Sequence, residues 1–115
     1  MQAENKIQSE CFQWYNNTYC LKNHNPRGIM FSVANELAGA NKIAMMQAKA
    51  MGLVAGVSDT IIIHNNKQVL FCEFKNEIGR QSDKQKDFQS RVELLGFEYK
   101  IIRSLKEFQS WIQLK

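Results

Sequence analysis

The sequence predicts an α/β domain in which a central mixed β-sheet is flanked by helices. Segments with the apolar spacing of a helix alternate with short runs rich in β-branched and aromatic residues. The order of these segments is α, β, α, β, β, α, β, α, which favours a sheet covered by helices. The length of 115 residues suits one domain spanning residues 1–115.

The first half of the chain predicts two helices and a strand. ENKIQSECFQWYNNTY has apolar residues at helical spacing and precedes NHNPRG, the loop with the only proline. In this helix Glu10 is expected on the inward flank and Glu4 in solvent. IMFSV predicts a strand, and NKIAMMQAKAMG a helix that ends at Gly52. The apolar residues Ile43 and Met46 of that helix are expected in the core.

The second half predicts a β-hairpin, a helix, a strand and a last helix. SDTIIIHNNKQVLFCEFK contains two β-rich runs around Asn65 and Asn66. In SDKQKDFQSRVELLG, Ser82 and Gln85 have the spacing of a capping box, and Gly96 suits the helix end. FEYKII predicts a strand, and SLKEFQSWIQL a helix that opens with a second capping-box spacing.

Composition and charge exclude several classes of protein. Hydrophobic residues make up 44% of the chain, which is enough for a buried core. No segment has the pattern of a signal peptide, and no apolar run approaches the ~20 residues of a membrane span. We therefore expect a cytoplasmic protein without a membrane partner. The net charge of +4 is compatible with an anionic partner such as nucleic acid.

The cysteines and histidines offer few metal-binding patterns. Three cysteines without C-x-x-C spacing argue against a disulfide framework. Cys20 and His24, in CLKNH, are possible zinc ligands, but a structural zinc site takes four ligands in paired spacings. His64 stands alone in the sequence, so zinc is disfavoured, and Cys72 is interpreted as a small buried apolar residue.

The stretch FCEFKN, residues 71–76, places two charges in an otherwise apolar strand. Glu73 and Lys75 point to one face because side chains alternate along a strand. The E-x-K pattern occurs three times in the chain, and its ordinary explanation is a solvated ion pair. Only Glu73 has a second acid that a hairpin can bring near, namely Asp59 at the start of the first hairpin strand.

The length of the hairpin loop decides whether the two acids share a face. Directly opposed residues of an antiparallel pair lie on the same face. A two-residue turn, NN, would oppose Asp59 to Cys72, whereas a three-residue loop, NNK, would oppose it to Glu73. We therefore predict a three-residue loop or a bulge.

Two facing carboxylates repel each other, and a hard divalent cation relieves the repulsion. Mg²⁺ or Mn²⁺ takes oxygen ligands, including carboxylates, water and substrate phosphate. We expect such an ion to be held by Asp59 and Glu73, by a third carboxylate from the first helix, Glu10, and by the backbone carbonyl of Phe74.

Two further side chains are given catalytic roles beside the ion. Lys75 would orient or deprotonate the attacking water, or neutralise the phosphorane, while the metal polarises the phosphate. Gln85, at the start of the next helix, would hold the water or the lysine, although the capping box explains it at least as well. The predicted catalytic set is Asp59, Glu73, Lys75, Gln85 and Glu10.

The ordered pattern of Asp59, then EFK, then SDKQ resembles the VRR-NUC domains of the PD-(D/E)xK nuclease superfamily. It is most similar to the small standalone domains of phages and bacteria. GVSD, residues 56–59, resembles the family's Gly-x-Pro-Asp turn, with Ser58 in place of the usual proline. FSVANE followed by AKAMGLVAG is similar to the family's upstream segment.

The resemblance implies a restriction-endonuclease-like core and a metal-dependent, structure-directed DNA endonuclease in a bacterial or phage-infected cell. It also implies a homodimer that cuts branched DNA such as a four-way (Holliday) junction, because a two-fold dimer matches a two-fold substrate. Two alternatives stay open. One is a non-catalytic nucleic-acid-binding module of the same fold, and the other is a restriction-type nuclease that cuts duplex sites.

Overall fold

The computed structural model describes residues 2–33 and 41–115, and its elements follow the predicted order. The helices are α1 (Glu4–Tyr19), α2 (Lys42–Ala50), α3 (Asp83–Leu94) and α4 (Leu105–Gln113). The strands are β1 (Ile29–Ser32), β2 (Thr60–His64), β3 (Gln68–Phe74) and β4 (Glu98–Ile102). The ANE part of the FSVANE segment lies outside the described residues.

The strands form a mixed sheet in the order β1-β2-β3-β4. β2 pairs antiparallel with both β1 and β3, while β3 and β4 are parallel. Parallel neighbours need a long crossover connection, and α3 lies within the one that joins β3 to β4. The predicted α/β class with a mixed sheet flanked by helices is confirmed.

The hairpin between β2 and β3 has the predicted three-residue loop. β2 ends at His64 and β3 begins at Gln68, which leaves residues 65–67 between them. Asn66 and Lys67 have φ values of 56° and 60°. Left-handed backbone is uncommon outside glycine, and asparagine is among the residues enriched there. The NNK sequence thus tolerates the backbone that a three-residue loop needs.

The register of the hairpin brings the two predicted acids together. Thr60 pairs with Cys72, so the next step along both strands sets Asp59 opposite Glu73. This is the pairing that the three-residue loop predicted, and it places both acids on one face of the sheet.

One face of the sheet packs against α1 and α4 to form the core. The other face is covered near β3 and β4 by α3, where the Phe88 ring lies 5.9 Å from that of Phe71 and 6.2 Å from that of Tyr99. The acids therefore lie on the α3 side of the sheet, since Glu73 alternates with the core residues. The core includes Ile7, Cys11, Tyr15, Ile62, Leu70, Cys72, Phe74, Phe108 and Ile112.

The starts of α3 and α4 use the predicted serine caps. The Ser82 hydroxyl accepts from Gln85 N at 3.2 Å, and Gln85 Oε1 accepts from Ser82 N at 2.9 Å, which completes the capping box. At α4 the Ser104 hydroxyl accepts from Glu107 N at 3.2 Å. Gly96, just after α3, has φ +92°, a conformation that favours glycine.

The helix α2 differs from its prediction as a core helix. None of its residues is buried, and Ile43 and Met46 are 67% and 62% exposed. In residues 2–33 and 41–115, α2 packs against no other helix or strand. The expectation that its apolar residues lie in the core is wrong, because helical periodicity identifies an apolar face but not a partner for that face.

The cysteines are unpaired and buried. Burial raises the pKa of the Cys11 thiol to about 12, with a smaller contribution from the charge of Glu10. Burial also raises the pKa values of Cys20 and Cys72. Cys72 is thus the buried apolar residue that was predicted.

The helices that the structure describes are all too short or too polar to cross a membrane.

His64, at the end of β2, makes a buried polar contact with α1. Its Nδ1 lies 2.7 Å from the Tyr15 hydroxyl. Burial lowers the pKa of His64, and the charges of His24 and Lys115 lower it further. The folded chain therefore holds this imidazole neutral at pH values where an unfolded histidine takes up a proton.

We expect the free energy of unfolding to fall as the pH drops below 6.5, the ordinary histidine value. The unfolded chain then binds a proton at His64 that the folded chain does not, so acidification favours unfolding. His64→Gln should flatten this dependence in urea unfolding followed by tryptophan fluorescence between pH 7 and pH 5. His24→Gln, in the NHNPRG loop, removes a smaller cause of the shift than burial and should therefore retain most of the dependence. An unchanged slope in His64→Gln would contradict the assignment.

Candidate active site

The carboxylate of Asp59 reaches across to β3. Its Oδ2 accepts a hydrogen bond from Phe74 N at 2.7 Å, just beside Glu73. Burial raises the pKa of Asp59, and the bond from Phe74 lowers it. The charge of Glu73 raises this pKa further, whereas that of Lys75 lowers it. The two predicted acids and the predicted lysine therefore share one electrostatic environment.

The Glu73 side chain is fully buried, and its two oxygens have different surroundings. Oε1 accepts from the Tyr99 hydroxyl and from Gln81 Nε2, the latter at 3.1 Å. Oε2 lies 3.4 Å from Lys75 Nζ and has no hydrogen-bond partner among the described residues. A buried carboxylate is costly unless it is compensated, so Oε2 is the atom best placed to take a cation.

The Glu73–Lys75 pair is buried, whereas the ordinary explanation of an E-x-K pattern is a solvated ion pair. The Lys75 side chain is only 13% exposed, and its partner is fully buried. The E-x-K sequence on β4 behaves differently, because Glu98 pairs with Lys115 at the C-terminus rather than with Lys100. Of these two strand patterns, only that on β3 forms a buried pair.

Tyr99 and Gln81 are site residues that the sequence interpretation missed. Tyr99 lies on β4 opposite Phe71 in the parallel register, so its side chain shares the face of Glu73. Alternation in FEYKII places Tyr99 and Ile101 on one face, but the parallel pairing that brings Tyr99 to Glu73 has no local signal. Gln81 directly precedes the capping box of α3, in a loop whose path the sequence does not reveal.

The start of α1 lies beside the loop after β3, close to Lys75. The charge of Glu4 raises the pKa of Asp59. A Cβ atom added to Gly79 would lie 2.7 Å from Glu4 Oε1 and 3.3 Å from Lys75 Cδ, so the loop after β3 brings these groups together. Glu4 is half-buried, which differs from its predicted position in solvent.

Glu10, the predicted helix carboxylate, has other neighbours. Its Oε1 accepts from Gln2 Nε2, and its charge raises the pKa of Cys11. Glu10 lies six positions after Glu4, about 9 Å along a helix. The sequence indicated the inward flank of α1 but not which end of α1 meets the loop after β3. A ligand role for Glu10 stays a prediction.

A cavity of about 250 Å³ separates the segment before β2 from the start of α3. Gln85 borders this cavity together with Asp59, so the structure brings these two predicted residues to one cleft. Its amide oxygen is held by Ser82 N in the capping box. A larger cavity, about 540 Å³, lies at the C-terminal end of α1, and among the described residues no acidic side chain lines it.

Gly56 allows the Asp59 segment to approach α3 closely. Its φ is +78°, and an added Cβ would lie 2.7 Å from Gln85 N and still closer to the Lys84 carbonyl. No side chain fits in this space, and the left-handed backbone independently favours glycine. This contact fixes the distance between Asp59, three residues later, and the first turn of α3.

The donor set fits a hard divalent cation. Asp59 and Glu73 supply carboxylate oxygens, and Glu73 Oε2 is a buried oxygen without a hydrogen bond in the described part of the chain. Within residues 2–33 and 41–115, no three His, Cys, Asp or Glu side chains are grouped as metal ligands. An ion here would also use backbone, water or phosphate oxygens, as Mg²⁺ commonly does.

The mixed sheet and its flanking helices have the fold of two solved structures described as VRR_NUC domains. A solved structure described as a VRR_NUC domain protein superposes with a TM-score of 0.73 at 17% identity, covering 99% of this chain and 88% of the other. A second, described as a VRR_NUC domain, has a TM-score of 0.64 at 15% identity, covering 96% and 94%. No protein-family model matches the sequence, and no curated protein is significantly similar to it. The fold that the motifs implied is confirmed.

We expect Gly56→Ala to destabilise the protein by about 1–3 kcal/mol more than Gly96→Ala in urea unfolding. Both glycines have positive φ, but a Cβ at Gly96 meets open space, so the difference isolates the contact with α3. Equal losses of stability in the two variants would show that the segment at Gly56 does not contact α3 closely.

Proposed function

We propose that the protein is a metal-dependent DNA endonuclease that hydrolyses phosphodiester bonds. The observation that carries this proposal is the proximity of three charged groups: Asp59 Oδ2 accepts from Phe74 N, next to Glu73, and Lys75 Nζ lies 3.4 Å from the buried Glu73 carboxylate. Two carboxylates beside a lysine are a recurrent arrangement for binding a hard cation and activating water.

We propose that Asp59, Glu73 Oε2 and the Phe74 carbonyl hold Mg²⁺ or Mn²⁺. Phe74 directs its N–H to Asp59, and in a strand the N–H and C=O of one residue point toward the same neighbour. The carbonyl is therefore directed to the edge where Asp59 lies. For the carboxylate from α1, the position of Glu4 Oε1 near Lys75 favours Glu4, whereas Glu10 Oε1 accepts from Gln2.

The bound ion would polarise the scissile phosphate and lower the pKa of the water molecule bound to the ion. Lys75, held beside Glu73, orients the attacking water or neutralises charge on the phosphate as the bond breaks. Gln85, at the mouth of the cleft, holds the water or the lysine once its side chain leaves Ser82. The pairing of Lys75 with Glu73 and the position of Gln85 beside Asp59 support these roles.

The surface around the cleft is suited to a phosphate backbone. Arg80, Lys84 and Lys86 are exposed next to the start of α3, and the amide groups of a helix N-terminus favour anions. Such contacts carry affinity but little sequence information. We propose a four-way junction as the substrate and a homodimer as the active form, following the resemblance to standalone VRR-NUC domains.

We expect the purified protein to cut a labelled four-way junction with Mn²⁺ or Mg²⁺ and to leave it intact with a chelator. Glu73→Gln should lower the cleavage rate by roughly 10²-fold or more while retaining junction binding. Glu77→Gln, an exposed acid in the following loop, is the matched control and should cut normally.

Other outcomes of this assay favour the alternatives. Junction binding without cleavage under either ion would overturn the enzyme proposal in favour of a non-catalytic module. Cleavage of a linear duplex as fast as the junction would favour a restriction-type nuclease. Flap substrates belong in the same panel.

We expect Glu4→Gln to slow Mn²⁺-dependent cleavage by roughly tenfold or more, and Glu10→Gln to change it little. The reason is that Glu4 Oε1 lies beside the loop after β3, close to Lys75, and that the charge of Glu4 raises the pKa of Asp59. The reverse order of effects, in variants with equal thermal stability, would assign the helix carboxylate to Glu10.

A further inference from the structure

We infer that Tyr99 and Gln81 are positioning residues, which hold the Glu73 carboxylate so that one oxygen, Oε2, is presented to the metal ion. This inference rests on the proposed function, since it concerns the same site. It assigns a task to two side chains that lie outside the E-x-K strand and outside the expected ligand set.

Both donors contact the same oxygen of Glu73. The Tyr99 hydroxyl and Gln81 Nε2 donate to Oε1, while Oε2 lies toward Lys75. A carboxylate oxygen with two donors has little capacity left for a metal. Rotating the carboxylate to exchange its oxygens would break both hydrogen bonds inside a buried site, where each lost bond is costly.

The donors are themselves held in place. Gln81 Nε2 also donates to Gln89 Oε1 at 2.8 Å, which ties the loop to α3. The Tyr99 ring packs against Phe88 of α3, 6.2 Å between centroids. The carboxylate is therefore held from β4 and from the loop before α3, on the side of β3 away from Asp59.

The Tyr99 hydroxyl directs its hydrogen bond to Oε1 of Glu73, the oxygen that lies away from Lys75. Outer hydrogen bonds of this kind orient metal ligands, and their loss commonly weakens metal binding. Without the hydroxyl, the Glu73 carboxylate is free to rotate, and Oε1 then competes with Oε2 for the ion.

Tyr99→Phe tests the inference in the metal-binding equilibrium, without DNA. Free Mn²⁺ measured by electron paramagnetic resonance should show affinity weakened by roughly tenfold. The matched control is Tyr15→Phe, which removes another buried hydroxyl with a hydrogen bond, to His64 at the opposite end of β2. This variant should bind Mn²⁺ as the wild type does.

A second variant and a second readout guard against a general loss of structure. Gln81→Met removes the other donor at similar volume and should also weaken Mn²⁺ binding. Infrared difference spectra on adding Mn²⁺ should show the carboxylate splitting of a one-oxygen ligand in the wild type and a shift toward two-oxygen ligation in Tyr99→Phe.

The outcomes separate this inference from the proposed function. Wild-type affinity and spectra in both Tyr99→Phe and Gln81→Met would overturn the positioning role while leaving metal-dependent cleavage intact. Equal weakening by Tyr99→Phe and Tyr15→Phe would also overturn it, since the effect would then be general. Failure of the folded wild type to bind Mn²⁺ would overturn the proposed metal site, and the positioning role with it.

Discussion

The repulsion between the neighbouring carboxylates of Asp59, just before β2, and Glu73, on β3, is the constraint on which the rest of the site depends. A buried charge must be compensated by hydrogen bonds or by an opposite charge. For Asp59 the compensation comes from the backbone of β3. For Glu73 it comes from β4, from the loop before α3 and from the lysine two residues later. Four segments of the chain thus meet around two acids.

The connection that makes β4 parallel to β3 also supplies residues of the site. Because β4 runs parallel to β3, the chain must cross over between them, and that crossover carries both Gln81 and α3. The parallel register then sets Tyr99 on the face of Glu73. Gly56 brings the Asp59 segment against the first turn of the same helix. The crossover that completes the sheet therefore also supplies one wall of the cleft.

The features that follow from local rules were predictable from the sequence. Alternation along a strand and the count of residues in the NNK loop predicted the opposition of Asp59 and Glu73, and the spacing of Ser82 and Gln85 predicted the start of α3. Features that depend on how distant elements meet were not. The approach of Glu4, the donors Tyr99 and Gln81, and the lack of packing of α2 arise from contacts between segments far apart in the chain, for which a single sequence carries no periodic signal.

The burial of the cysteines has a practical consequence for studying the protein. A thiol reacts as its thiolate, and Cys11, Cys20 and Cys72 are buried with raised pKa values. Maleimide dyes therefore react slowly with the three cysteines of the native chain. A cysteine introduced at an exposed position such as Ser90 on α3 would be labelled selectively, and fluorescence transfer to a labelled oligonucleotide would then report how the helix approaches it.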